Sequence, residues 1–168
     1  MSRFIEGGAM KKLISLILIV LGSGALLVTP NLSLAASESG TLTGAARTTF
    51  SAPASLNGIS LTGADIGTGV FVEADGSASG TFNAVLNGGS LLGNAQKVVV
   101  EGRVLEGAIA PDGRVQISGL ATVAFGDGVA SLQGIPFTVS ATTNSVLLSV
   151  GSTVLPSAGL TEGVISIE

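Results

Sequence analysis

The sequence predicts an all-β protein, an antiparallel β-sandwich or small β-barrel built from hairpins and preceded by an N-terminal signal-peptide helix. Three observations lead there. Short apolar runs with period-two alternation recur every eight to twelve residues, turn dipeptides separate them, and no long segment after the N-terminal apolar stretch has helical periodicity. Glycine supplies 25 of the 168 residues without a collagen-like period, so it punctuates strands.

The first element is an export signal. Lys11-Lys12 precedes the uncharged stretch Leu13–Val28, Pro30 breaks the helix, and Ser33-Leu34-Ala35 places small residues where a signal peptidase reads. Cleavage is expected after Ala35, with Ala36 next in line; the competing reading is an uncleaved anchor, since the apolar run nearly spans a bilayer. Met10 is a more natural start than Met1, which makes residues 1–9 an over-extended gene start. The chain thus divides into a signal peptide, 1–35, and a single secreted or periplasmic β domain, 36–168. No cysteine is present for lipid attachment or for disulfides.

The mature chain opens with a small-residue leader, then a Thr-rich strand, Thr41–Phe50. Pro53 interrupts, and Leu56–Thr62 resumes with Ile59 and Leu61 on one face. Val70–Glu73 and Gly80–Leu86 flank Asp75-Gly76, read as a two-residue hairpin loop that sets Phe71 opposite Gly80 and Phe82 opposite Gly69. Asn87-Gly88-Gly89-Ser90 ends that hairpin.

The central hairpin runs from Lys97 to Phe125 around Asp112-Gly113. A two-residue loop there pairs Ala110 with Val115, Ala108 with Ile117, Val104 with Ala121, Gly102 with Val123 and Val100 with Phe125 on an apolar face. Arg103, Glu101 and Ile109 fall on the other. Glu106 lands on the apolar side, so a bulge near Val104-Leu105 is expected to return it to solvent and turn Leu105 and Ile109 inward.

Gly126-Asp127-Gly128 is a third turn, followed by strands at Val129–Leu132 and Ile135–Ala141. Pro136 points outward and places that run at an edge or starts it. Thr142–Ser145 turns the chain into Val146–Val150, Val154–Gly159 is a loop, and Leu160–Glu168 is the last strand.

Function is constrained mainly by exclusion. Without His or Cys, the usual triads, thiol nucleophiles and His/Cys zinc sites are ruled out. Lys97 as a serine activator lacks any sign of a paired nucleophile. Asp75, Asp112 and Asp127 each precede Gly and read as turn residues, not glycosidase carboxylates. A calcium loop aligned on Gly76 puts Phe71 and Phe82 where ligands belong, so no metal is expected. Leu155-Pro156-Ser157-Ala158-Gly159 resembles a cell-wall sorting signal but lacks the apolar tail and cations that must follow.

Removing Arg3, Lys11, Lys12 and Glu6 leaves four cations against ten acids, a formal charge of −6. Four scattered cations cannot neutralise a run of phosphates, so nucleic acid is not an expected partner. Aromatic girdles and a lipid-facing band are missing, which argues against an outer-membrane barrel. The expectation is an exported bacterial module, not an enzyme and without cofactors, that binds a protein or polymer of the cell envelope or forms surface structure. It makes no membrane contact after signal cleavage, and nothing in the sequence specifies an oligomeric state. The alternative is a small barrel carrying an apolar ligand.

Overall fold

The computed structural model describes residues 38–90, 92–126 and 130–168. The proposed signal segment, Ala35, Ala36 and Asp127-Gly128 lie outside the described residues. Among the described residues there are nine strands and no helix: β1 Gly40–Leu56, β2 Ile59–Val72, β3 Ser77–Gly89, β4 Ala95–Ile109, β5 Val115–Phe125, β6 Leu132–Ala141, β7 Ser145–Val150, β8 Thr153–Val154 and β9 Ala158–Ile167.

All pairings are antiparallel, and the sheet closes into a ring. Consecutive strands pair from β1 through β7, and β9 pairs with both β7 and β1. β8 and β9 lie end to end along the same side of β7, joined through the Leu155 N–H, which donates to the Leu148 carbonyl (3.0 Å). The ring therefore has eight staves, and a single sheet curled on itself replaces the two-sheet sandwich. Closure removes most free edges, which is how an all-β chain avoids indiscriminate strand pairing.

Apolar side chains alternate inward along the staves. Leu42, Val72, Leu86, Val98, Val100, Ile117 and Val139 are almost completely buried. Phe82 and Phe137 stack at 5.8 Å between centroids with their planes 20° apart. Gly102 lies beneath that stack: a Cβ there would stand 2.7 Å from the Phe137 ring. At Gly107 a methyl would meet Val72, Ala78 and Ile117 at 2.9–3.3 Å. The lumen is filled by side chains at both positions.

The turns differ from their expected form. Asp75-Gly76 and Asp112-Gly113 are parts of three-residue loops. Ala110 N–H donates to the Arg114 carbonyl (2.7 Å) and Gly113 N–H to the Ala110 carbonyl (2.9 Å); Glu73, Gly76 and Ser77 repeat that pattern. Pro111 suits the first central position of a type I turn, and Gly113 closes the loop at φ +78°. Each aspartate accepts the N–H two residues on, from Ser77 (2.9 Å) and Arg114 (3.2 Å).

The extra loop residue shifts the register by one, and the bulge between Val104 and Glu106 shifts the pairs beyond it by one more. Ile109 pairs with Val115, Val100 with Val123 and Val98 with Phe125. Phe71 pairs with Ser79 and stands on the outer wall, while Phe82 lies opposite Thr68 and Gly102. The two-residue turn is instead Asn57-Gly58, with φ +49° and +79°, between paired Leu56 and Ile59. It splits the run expected as one strand, and β1 passes through Pro53 on an irregular stretch between Thr49 and Ala54.

The bulge in β4 sits between Val104 and Glu106. It exposes Glu106 and turns Ile109 inward, but Leu105, the inserted residue, stays outside. Pro136 lies mid-strand in β6, outward and just past the last β6–β7 pair, so only β5 flanks it in register.

The stack dictates the first expected outcome. Gly102→Ala should destabilise by about 1–3 kcal/mol through overpacking against Phe137. Phe137→Ala alone should cost about 3–5 kcal/mol. In the double variant the methyl has room, so denaturant melts should show a cost clearly below the sum of the two singles. Strict additivity would mean that the ring does not rest on Gly102.

Candidate functional site

Outward-facing positions of five neighbouring staves carry a polar row. Arg47 stands in the middle of β1, paired with Asp65 of β2 on one side and Glu162 of β9 on the other. Its Nε donates to Asp65 Oδ1 (2.9 Å) and its Nη1 to Glu162 Oε2 (3.0 Å). Asn87 of β3 donates through Nδ2 to Asp65 Oδ2 (3.0 Å), and Lys97 of β4 pairs in register with Asn87. A shallow open hollow lies over Ala45, Ala46, Arg47, Asp65, Ile66, Glu162 and Gly163.

Local backbone irregularity brings these groups together. Thr161 is the extra residue of a bulge between the Arg47–Glu162 and Thr48–Leu160 pairs, and its hydroxyl donates to the Arg47 carbonyl (3.1 Å). Gly163, at φ +84°, packs so closely on β1 that a Cβ would meet the Ala45 carbonyl oxygen. Thr62 is the corresponding insertion in β2, its hydroxyl donating to the Asn87 carbonyl (3.1 Å). Bulges re-aim side chains, and here they flank the row on two staves.

Hydrogen bonds from Arg47 and then Asn87 hold the Asp65 carboxyl below the usual range, and the same pairing raises the Arg47 guanidinium. Asp65 therefore stays ionised at neutral pH and has no proton to give. The side chains remain 44–69% exposed, so solvent screens the ion pairs and their contribution to stability is small. The arrangement is a clasp across the β9–β1–β2 closure and a patterned polar surface.

The other candidates are scattered. Lys97 is exposed on β4. Asp75 and Asp112 sit in their turns, with Asp112 also bridged to Arg114 at 2.7 Å. Glu106 accepts a hydrogen bond from the Ser118 hydroxyl (3.3 Å) on the outer wall. Among the described residues no three Asp or Glu side chains gather in a way that could hold a metal ion. Sequence reasoning missed the Arg47–Asp65–Glu162 clasp, whose members lie 18 and 115 residues apart. Only the closure of the ring brings Glu162 to Arg47.

No family model, curated protein or solved structure is significantly similar to this chain.

The clasp carries a pH signature. Asp65, Asp75 and Asp112 all have folded pKa values lowered by hydrogen bonds. Their contribution is complete above the unfolded carboxylate value of about 3.9 and is lost as pH falls through the lowered folded values. The melting temperature should fall below about pH 4, and Asp65→Asn should remove a small part of that fall and leave the part due to Asp75 and Asp112. An unchanged limb in Asp65→Asn would show that the clasp is not coupled to folding.

Proposed function

We propose that this chain is an exported, non-catalytic binding or surface-structural module that works through the outer wall of its ring, with residues 1–35 as the signal peptide. The observation that carries the reading is the filled lumen: the Phe82–Phe137 stack over Gly102 occupies the space a carried apolar ligand would need. Contact with a partner then falls to the outside. There the polar row on β9–β4 is accompanied by apolar side chains, with Leu105 44% and Leu120 49% exposed and Leu120 paired beside Pro136. The clasp lacks a nucleophile, its Asp65 is held ionised by hydrogen bonds, and no metal-binding set gathers among the described residues, which favours binding over catalysis. Four cations in residues 36–168 keep nucleic acid outside the proposed partners, which are proteins or polymers of the cell envelope. Charged groups at mid-strand on the outer wall, Arg47, Glu101 and Arg103, suit water rather than a lipid-facing band.

A photo-crosslinker in place of Leu120 should trap a discrete envelope partner in the producing cells, with the recovered chain starting at or within two residues of Ala36. An apolar fluorescent probe should show no saturable binding to the purified protein. Stoichiometric probe binding displaced by a fatty acid, with no adduct from position 120, would overturn the reading in favour of the carrier.

A further inference from the structure

The ring is shorter on one side. β7 has six residues, and the β6–β7 hairpin turns back at Thr142–Ser145, fastened by Thr142 Oγ1 accepting from the N–H groups of Asn144 and Ser145 (3.2 and 3.1 Å). β9 runs on past that turn. It pairs with β7 only at Gly159 and Ala158, and the Leu160 N–H donates to the Asn144 carbonyl (3.0 Å). From Thr161 to Ile167 it pairs with β1 alone, so among the described residues its other edge is open. Four consecutive residues there, Thr161 to Val164, are exposed, and Val164 keeps 67% of its surface.

We infer that this open edge of β9 pairs with the same edge of a second copy of the chain, antiparallel about a two-fold axis at Val164. The inference rests on the binding-module reading and names one partner for its wall. An isologous contact needs a self-complementary strand, and the side-chain sequence meets that need in one register. With Val164 opposite Val164, Glu162 faces Ser166 and Thr161 faces Ile167, and no two acids are opposed. Moving one way by a same-face step brings Glu162 opposite Glu168, where like charges repel. Moving the other way sets the Glu162 carboxylate against the exposed valine. A one-residue slip opposes inward Ile165 to outward side chains. Charge and face together leave the Val164-centred ladder, which covers the exposed apolar side chain and supplies partners for the open backbone groups.

The chain has no cysteine, so a single introduced thiol reports the contact cleanly. Residues directly opposite in an antiparallel pair have Cα atoms about 4.5–5.5 Å apart, within the roughly 4.4–6.8 Å of a disulfide. Val164→Cys in the purified protein should therefore oxidise to a covalent dimer at least about tenfold faster than Leu92→Cys, a control at a position that is 87% exposed, because pairing raises the effective thiol concentration. Adding Ser166→Glu to Val164→Cys opposes carboxylates twice across the axis and should abolish that advantage. In the cysteine-free protein, sedimentation should show a dimer, more strongly at higher salt because each copy of residues 36–168 carries a formal −6, and a monomer for Ser166→Glu. Trapping no faster than the Leu92→Cys control, or trapping indifferent to Ser166→Glu, would overturn the proposed pairing. If Val164→Cys captures a different protein while self-trapping fails, the binding-module reading survives and the second-copy inference does not.

Discussion

Closure between the first strand and the last is the constraint on which the rest of this structure depends. From Leu42 to Thr49, β1 is paired with β2 on one side and β9 on the other, and that junction converts a meander of hairpins into a ring. A closed ring of eight staves has an interior that side chains can fill or that can hold one small ligand, and side chains occupy it at Gly102 and Gly107. The lumen can be closed around two stacked phenylalanines only because Gly102 presents no side chain beneath them. Some of the glycines answer a related constraint: at Gly44, Gly80 and Gly163 a neighbouring carbonyl occupies the space a Cβ would need, for Gly163 that of Ala45.

Closure also sets the chemistry of the surface. It carries Glu162, near the end of the chain, to Arg47, near the start of the described residues, and through Arg47 to Asp65 and Asn87. A guanidinium held between two carboxylates is an ordered surface element with a formal charge of −1. Together with the filled lumen, this favours a protein that acts by being touched on its outside. The clasp lies on the same junction as the open part of β9, so the feature that closes the ring borders the edge we assign to a second copy.

Much of this fold was legible in the residues, and the misses have definite causes. Period-two alternation identified the inward face of β5 and most of that of β4, and Val100 and Phe125 are buried as expected. The bulge that frees Glu106 followed from the cost of burying a carboxylate. Loop length was misjudged because Asp-Gly fits two geometries: as the tip of a two-residue turn, or as the last two residues of a three-residue loop. Pro111 was the available clue, since a two-residue loop makes it the closing residue opposite Arg114, and proline has no N–H to donate to the Arg114 carbonyl, a bond that Ala110 makes instead. Asn57-Gly58, the true two-residue turn, was overlooked because apolar residues flank it closely on both sides. The clasp was beyond reach, since pairing between β1 and β9 depends on the whole ring and not on any local pattern.

The central claim is the closure itself, and cross-strand contacts measured by nuclear magnetic resonance on the purified protein test it most directly. The account predicts short backbone proton distances between Thr43 and Ser166 and between Ala45 and Val164, together with slowly exchanging β1 amides along the β9 side. Fast exchange on that side of β1 with no contact to β9, while the β1–β2 contacts persist, would mean an open sheet and would contradict it.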